Sequence, residues 1–267
     1  LWDSPLASSS SVFVAEPLAY LPDMNILVQG PIREEQTLKE LLRSALGTGA
    51  PELIQELYDY MRKTAVGLAA LHQTDVDVGE VRVWEDELAE IYEVIERLAV
   101  PLPHLADAAT PLLAHLEAVA AEHPADPVVP SHGTFRPAQV LLSQGQIGFI
   151  DFDGFCQAEP ALDLGLFMAK VQDLGLNVSD DDEENELLDQ ETRLARFAEI
   201  SALCDAFLAA YEAHLPVSRQ RVALWEALAL FTIMLHCWTK IKPARLTNAM
   251  FLLSRHLQRN HLWYETA

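Results

Sequence analysis

Residues 131–142 read SHGTFRPAQVLL, residues 147–155 read IGFIDFDGF, and residues 158–167 read AEPALDLGLF. Two short apolar runs, Gln139 to Leu142 and Gln146 to Asp151, flank Ser143-Gln144-Gly145, a pattern that predicts a β-hairpin. On an extended run Asp151 and Asp153 fall two apart, so both carboxylates are expected on one side, about 7 Å from each other at ~3.3 Å per residue. Such a pair suits a divalent cation carried by a phosphate, because Mg²⁺ takes one or two protein carboxylates and completes its shell with water and phosphate oxygens. Two solvated aspartates at a strand end are the plain alternative.

Outward from this centre the apolar spacing is helical. Toward the N-terminus, a helix is expected from about Pro111 to Glu122. Trp84, Leu88, Ile91, Ile95 and Leu98 step by four and three along another, which Pro101 and Pro103 should stop. Leu53, Leu57, Met61, Leu68 and Leu71 mark a long helix ending near His72, and Thr37 to Leu46 a short one. Further back, the β-branched and aromatic run from Val12 to Leu21 and the run Asn25 to Gln29 read as two strands joined at Pro22-Asp23. Toward the C-terminus, helices are expected over Leu162 to Val171, Glu191 to His214, Ser218 to Lys240 and Arg245 to His261. The acidic stretch from Ser179 to Glu186 reads as a solvated loop. The expected class is α+β, mostly helical, with one small hairpin and a remnant of sheet in front. Residues 1–33 would be those front strands and a hinge, and residues 34–267 the helical body.

The three quoted segments, in their order, resemble the catalytic segment of the aminoglycoside phosphotransferase and choline kinase-like family. That family has a His-Gly-Asp loop with an Asn five residues after the Asp, then a strand pair, a metal-binding Asp and an Asp-Pro-x-x-Asp-Leu helix start. Here His132 and Gly133 open the loop, Asp151 matches the metal-binding Asp, Asp153 the acidic residue after it, and Asp163 the last Asp of the helix motif. LAALH, ending at His72, is similar to the end of the helix before the loop. The second strand with Val28, and Gly30 after it, resemble the hinge between the lobes.

The resemblance implies a protein-kinase-like fold, here its C-terminal helical lobe with a remnant of the N-terminal sheet. It also implies ATP-dependent phosphoryl transfer to a small-molecule hydroxyl. Val28, Gly30 and Gln139 would face the nucleotide, Asp151, Asp153 and Gln139 would hold Mg²⁺, and Thr134, Arg136 and Asp153 would act at the acceptor. Three departures bear on this. Thr134 stands where the family has its proton-accepting Asp, and an alcohol is no base near neutral pH. Arg136 replaces the second His, either as an anion clamp or as an ion-pair partner of Asp151 or Asp163. Gln139 replaces the metal-binding Asn, with one methylene more. No Gly-rich loop or strand Lys precedes Val12; either the chain is cut from something longer and those parts lay upstream, or the protein never had them. The alternative is a pseudokinase that binds nucleotide or another ligand as a sensor or scaffold. Within either reading His132 is expected to brace the loop, and Asp163 to cap its helix or brace the loop at His132.

Composition narrows the partners. With 18 Lys plus Arg against 40 Asp plus Glu the net charge is −22, which argues against a nucleic-acid surface. A cationic acceptor would suit that charge. Cys156, Cys204 and Cys237 are odd in number and widely spaced, so neither a disulfide framework nor a zinc motif follows, and a cytoplasmic location is expected. No run reaches the ~18 apolar residues of a membrane span, and none is expected. Oligomeric state leaves no mark on the sequence.

Overall fold

The run from Val12 to Leu21 forms two strands rather than one. Val12–Val14 (β1) ends before Ala15-Glu16, and Pro17–Leu21 (β2) pairs antiparallel with Ile26–Gln29 (β3) across a 3-10 turn at Pro22–Met24. Pro17 opens β2, a position where its missing N–H is tolerated. Five further strands follow: Gln36–Thr37 (β4), Val129–Ser131 (β5), Val140–Ser143 (β6), Gln146–Phe149 (β7) and Cys156–Ala158 (β8). One sheet has the order β1-β7-β6-β4, and β5 pairs antiparallel with β8. β1 lies parallel to β7, with Val12 opposite Ile147 and Val14 opposite Phe149. The hairpin β6-β7 forms as the sequence predicts. Its turn residues Gln144 (φ 50°) and Gly145 (φ 79°) are both left-handed, as a type I′ turn demands.

These features belong to a computed structural model that describes residues 1, 6, 12–177 and 188–262. The expected acidic loop at 179–186 lies outside the described residues.

Eight helices account for most of the described chain. Leu38–Thr48 (α1) starts at a capping box in which Thr37 Oγ1 accepts from Glu40 N and Glu40 Oε2 accepts from Thr37 N. Pro51–His72 (α2) and Trp84–Ala99 (α3) follow the apolar stripes read above. Pro103–Glu122 (α4) begins eight residues earlier than expected, because Pro103 does not stop a helix but opens one. A proline at N1 forfeits only an N–H that has no partner there. Pro111 then sits inside α4. Ala161–Leu176 (α5), Gln190–Glu212 (α6), Arg219–Thr239 (α7) and Pro243–Arg259 (α8) complete the set.

Helix α5 is the axis of the body, packed by α1, α6, α7 and α8. Every residue of it is buried except Leu166 and Lys170, which stand four apart on one face. A buried ion pair ties its start to α7: Arg221 donates to Glu159 through Nε at 2.9 Å and also through Nη2, and Trp225 Nε1 donates to Glu159 at 2.6 Å. By length and composition α7 could cross a membrane. In this fold Val222 to Leu228 are buried among the other helices, Glu226 included.

Candidate active site

Residues 132–139 form the loop between β5 and β6. At Gly133 the backbone has φ 79°, and a Cβ there would overlap the carbonyl oxygen of Gly154, so conformation and space both demand glycine. The N–H groups of His132 and Gly133 donate to the two oxygens of Asp163, at 2.7 and 2.9 Å. Asp163 is completely buried in the first turn of α5. It also accepts from His72 Nε2 at 3.1 Å, while His72 Nδ1 accepts from the Tyr211 hydroxyl at 2.7 Å. Burial works against ionisation of Asp163. The His72 hydrogen bond, the two nearby imidazoles and the His132 N–H outweigh it and hold the carboxyl below its ordinary pKa. Asp163 therefore braces the loop. It does not cap α5, which starts at Pro160 without a side-chain cap.

His132 is buried and also structural, since Nε2 donates to Ile150 O at 3.0 Å and the ring packs on Phe135 and Phe152. Phe135 stacks on Phe167, and Phe167 on Phe207, so the loop is pinned to α5 and α6. On its other side Arg82 donates to Gly133 O at 2.9 Å and to Glu87 through Nε at 3.0 Å. Cys156 is buried beside the loop, and burial, with Asp163 near, pushes its thiol up to about 11, so it stays protonated and inert.

The chain leaves β7 at Phe149, and this corrects the expected geometry of the carboxylate pair. Asp151 is left-handed (φ 67°, ψ 55°) and Asp153 lies in a single 3-10 turn, Phe152–Gly154. Aspartate tolerates that backbone better than most residues. Strand alternation therefore does not set the two carboxylates, yet both are exposed and both line one cleft of about 360 Å³. The rest of the cleft includes Val14, Leu27, Gln29 and Ile32. Leu27 and Gln29 flank Val28 in β3, and Val28 itself is not in the lining. Gly30 closes the ribbon by donating its N–H to Glu16 O at 2.7 Å.

Gln139 is buried and its Nε2 donates to Asp151 Oδ2 at 2.7 Å and to Thr134 Oγ1 at 3.4 Å. Its Oε1 is buried without a hydrogen-bond partner. Gln139 thus offers Asp151 a proton and turns no oxygen toward the cleft. Asp151 and Asp153 fit a phosphate-borne Mg²⁺ by donor type and exposure; Gln139 in this orientation does not. Among the described residues there is no cluster of three His, Cys, Asp or Glu that could hold a metal unaided. Arg136 Nη2 stands 3.5 Å from Asp151 Oδ2, with both side chains about half exposed. A pair this long and wet is worth ~0–1 kcal/mol, so the guanidinium is still available to an anion. Thr134 Oγ1 lies 3.5 Å from His132 Nδ1 and touches no carboxylate among the described residues.

A second cavity, about 230 Å³, lies between α3, α5 and α7 and reaches Gly133 of the loop. Arg82, Lys170 and Trp225 in its wall carry no sequence signal of their own. Tyr211 and His72 are also missed as loop supports, because one stripe of apolar helix residues looks like another until the helices are packed.

The profile of the phosphotransferase enzyme family (APH) matches residues 14–190, well over half of the chain. No protein with a curated description matches the sequence. Among solved structures, a glucosamine kinase is similar at 17% identity and TM-score 0.62, with 83% of this chain covered. The chain spans 57% of the length of that kinase. A choline/ethanolamine kinase family protein from Mesorhizobium loti is similar at 15% identity and TM-score 0.63, covering 97% of this chain and 81% of the other. A third match is a glucosamine kinase in complex with glucosamine, ADP and inorganic phosphate, at 16% identity, TM-score 0.60, and 88% and 64% coverage. At these identities the likeness is one of fold, the kinase-like fold these proteins share.

Proposed function

This chain belongs to the phosphotransferase enzyme family, and from that premise we propose that it binds ATP beside Asp151 and Asp153 and transfers the γ-phosphoryl group to a small-molecule hydroxyl. One observation carries the reading: the braced loop lends Gly133 to one cavity and, through Gln139 and Arg136, contacts Asp151, which lines the other together with Asp153. A nucleotide beside Asp151 and Asp153 and an acceptor beside Gly133 would lie on either side of the loop that carries Thr134 and Arg136. Mg²⁺, when bound, would neutralise phosphate charge and orient the transferred group.

The protein's own part is positional. Asp163 fixes the loop backbone through His132 and Gly133, Arg136, held only by a long, half-exposed pair with Asp151, can meet a phosphate oxygen, and Asp151 and Asp153 present carboxylates to the cleft. With Thr134 in the loop, the acceptor's proton leaves without a side-chain base, at an expected loss of about 10²–10⁴-fold in rate. Phosphoryl transfer tolerates this because positioning and charge neutralisation dominate it.

A second reading, nucleotide binding without transfer, is favoured by the amide proton that Gln139 directs at Asp151. Incubation with Mg-ATP and a panel of hydroxyl compounds, followed by phosphorus NMR, separates the two. A phosphorylated product that disappears in Asp151→Asn supports transfer. ATP binding with no product selects the second reading, and no ATP binding sinks both.

A further inference from the structure

The cavity between α3, α5 and α7 is apolar along most of its wall, with Ile91, Leu162, Leu166, Trp225, Leu228 and Ile233 contributing. Its charged groups are unequal. Arg82 and Glu87 neutralise each other, and Glu90 stands exposed at the edge. Lys170 is half-buried and makes no hydrogen bond or ion pair with any described residue. The acid nearest to it in charge, Asp173, is already engaged by Arg245 at 3.1 Å and by Asn177 Nδ2 at 3.0 Å.

Lys170 is one of only five lysines in a chain of net charge −22, and the charged neighbours that bear on it are Asp173, Arg245 and Arg136. Burial lowers the pKa of Lys170, Asp173 opposes it, and Arg245 and Arg136 lower it further. An ammonium that is desolvated, unpaired and crowded by like charge lacks one thing, an anion. The two unburied residues of α5, Leu166 and Lys170, supply an apolar and a cationic contact on the same face.

We propose that this cavity selects an acceptor with an apolar body and an anionic group, the anion meeting Lys170 and the hydroxyl directed toward the loop at Gly133. The proposal rests on the phosphotransferase reading for the word acceptor, but its test does not need transfer. Hydroxyhexanoate, hexanediol and aminohexanol share one chain length and one terminal hydroxyl, and differ at the far end by carboxylate, hydroxyl or ammonium. Each is titrated into the nucleotide-free chain and its Kd read by ligand-observed NMR.

Hydroxyhexanoate should bind about tenfold or more tightly than either of the others, the gain of one charge-assisted contact. Lys170→Met should reduce its affinity to that of hexanediol while leaving hexanediol unchanged, and should not lower the thermal midpoint, because it removes a half-buried cation that has no ion-pair partner. Lys170→Arg should keep the preference. Equal or tighter binding of aminohexanol, a preference that survives Lys170→Met, or no binding of hydroxyhexanoate in the millimolar range would each overturn the proposal. If the preference holds and no phosphate is ever transferred, the phosphotransferase reading fails and the anion site stands. If aminohexanol is phosphorylated and hydroxyhexanoate is not, the reverse is true.

Discussion

His72 closes α2 with its Nε2 hydrogen-bonded to Asp163, 91 positions later, at 3.1 Å. Because the Asp163 carboxylate accepts, Nε2 carries the proton and Nδ1 accepts from Tyr211. One buried carboxylate thus receives three N–H groups, two from the loop backbone and one from the imidazole.

Asp163→Asn keeps the shape but turns one oxygen into a donor facing an N–H. It should cost about 3–5 kcal/mol, measured by urea unfolding at neutral pH. The pH dependence has a definite sign. Since the folded pKa is depressed, the contribution of Asp163 is full above the ordinary carboxylate range near pH ~4 and is lost as the pH falls through the folded value. The gap between wild type and variant should narrow in acid and not above neutrality.

Gln139→Asn withdraws the amide from Asp151 by one methylene. A hydrogen bond to a charged group contributes about 1.5–3 kcal/mol, so Mn²⁺ should bind roughly 10- to 100-fold more tightly in this variant. Asp151→Asn should abolish Mn²⁺ binding. Paramagnetic relaxation of water protons reads both, and equal binding by all three proteins would show that Asp151 holds no cation.

Thr134→Asp restores a proton acceptor between His132 Nδ1 and Gln139 Nε2. If transfer operates by position alone, turnover with Mg-ATP should rise about 10²–10⁴-fold. If the chain only binds, the added negative charge beside Asp151 should weaken ATP binding and give no product.

His256 offers a second titration, remote from the loop. It is buried with Glu226 at 3.3 Å and donates from Nε2 to Ala223 O at 2.8 Å. Burial disfavours its charge, but Glu226 prevails and raises its pKa above 6.5. Its stabilisation is therefore full below pH 6.5 and lost as the pH rises through the folded value. The thermal midpoint of the wild type should fall over that range, and that of His256→Gln should be flatter.

Helices were legible where the physics is local. The stripe Trp84 to Leu98 gives α3 because burial on one face needs only its own spacing. The β6-β7 hairpin was legible from Gly145. The pairing of β1 with β7 was not, since Val12 and Ile147 meet through tertiary packing. At the site, His132, Asp151 and Asp163 were legible as a pattern. Their geometry was only partly so: the left-handed Asp151 breaks the strand alternation that the DxD spacing suggests. Lys170 could not be read at all, because a lysine in a helical run becomes distinctive only when Asp173, the acid beside it, proves to be taken by Arg245.

The support of the loop at 132–139 also fixes when it can form. The His72–Tyr211 bond spans 139 positions, and a ribosome adds about 5–20 residues per second. The nascent chain must therefore wait on the order of ten seconds after α2 appears before α6 can complete the relay behind Asp163. During that interval α2 exposes the apolar face that later meets α6. The chain depends on its surroundings for protection then, and the braced loop is completed only once α6 has been made.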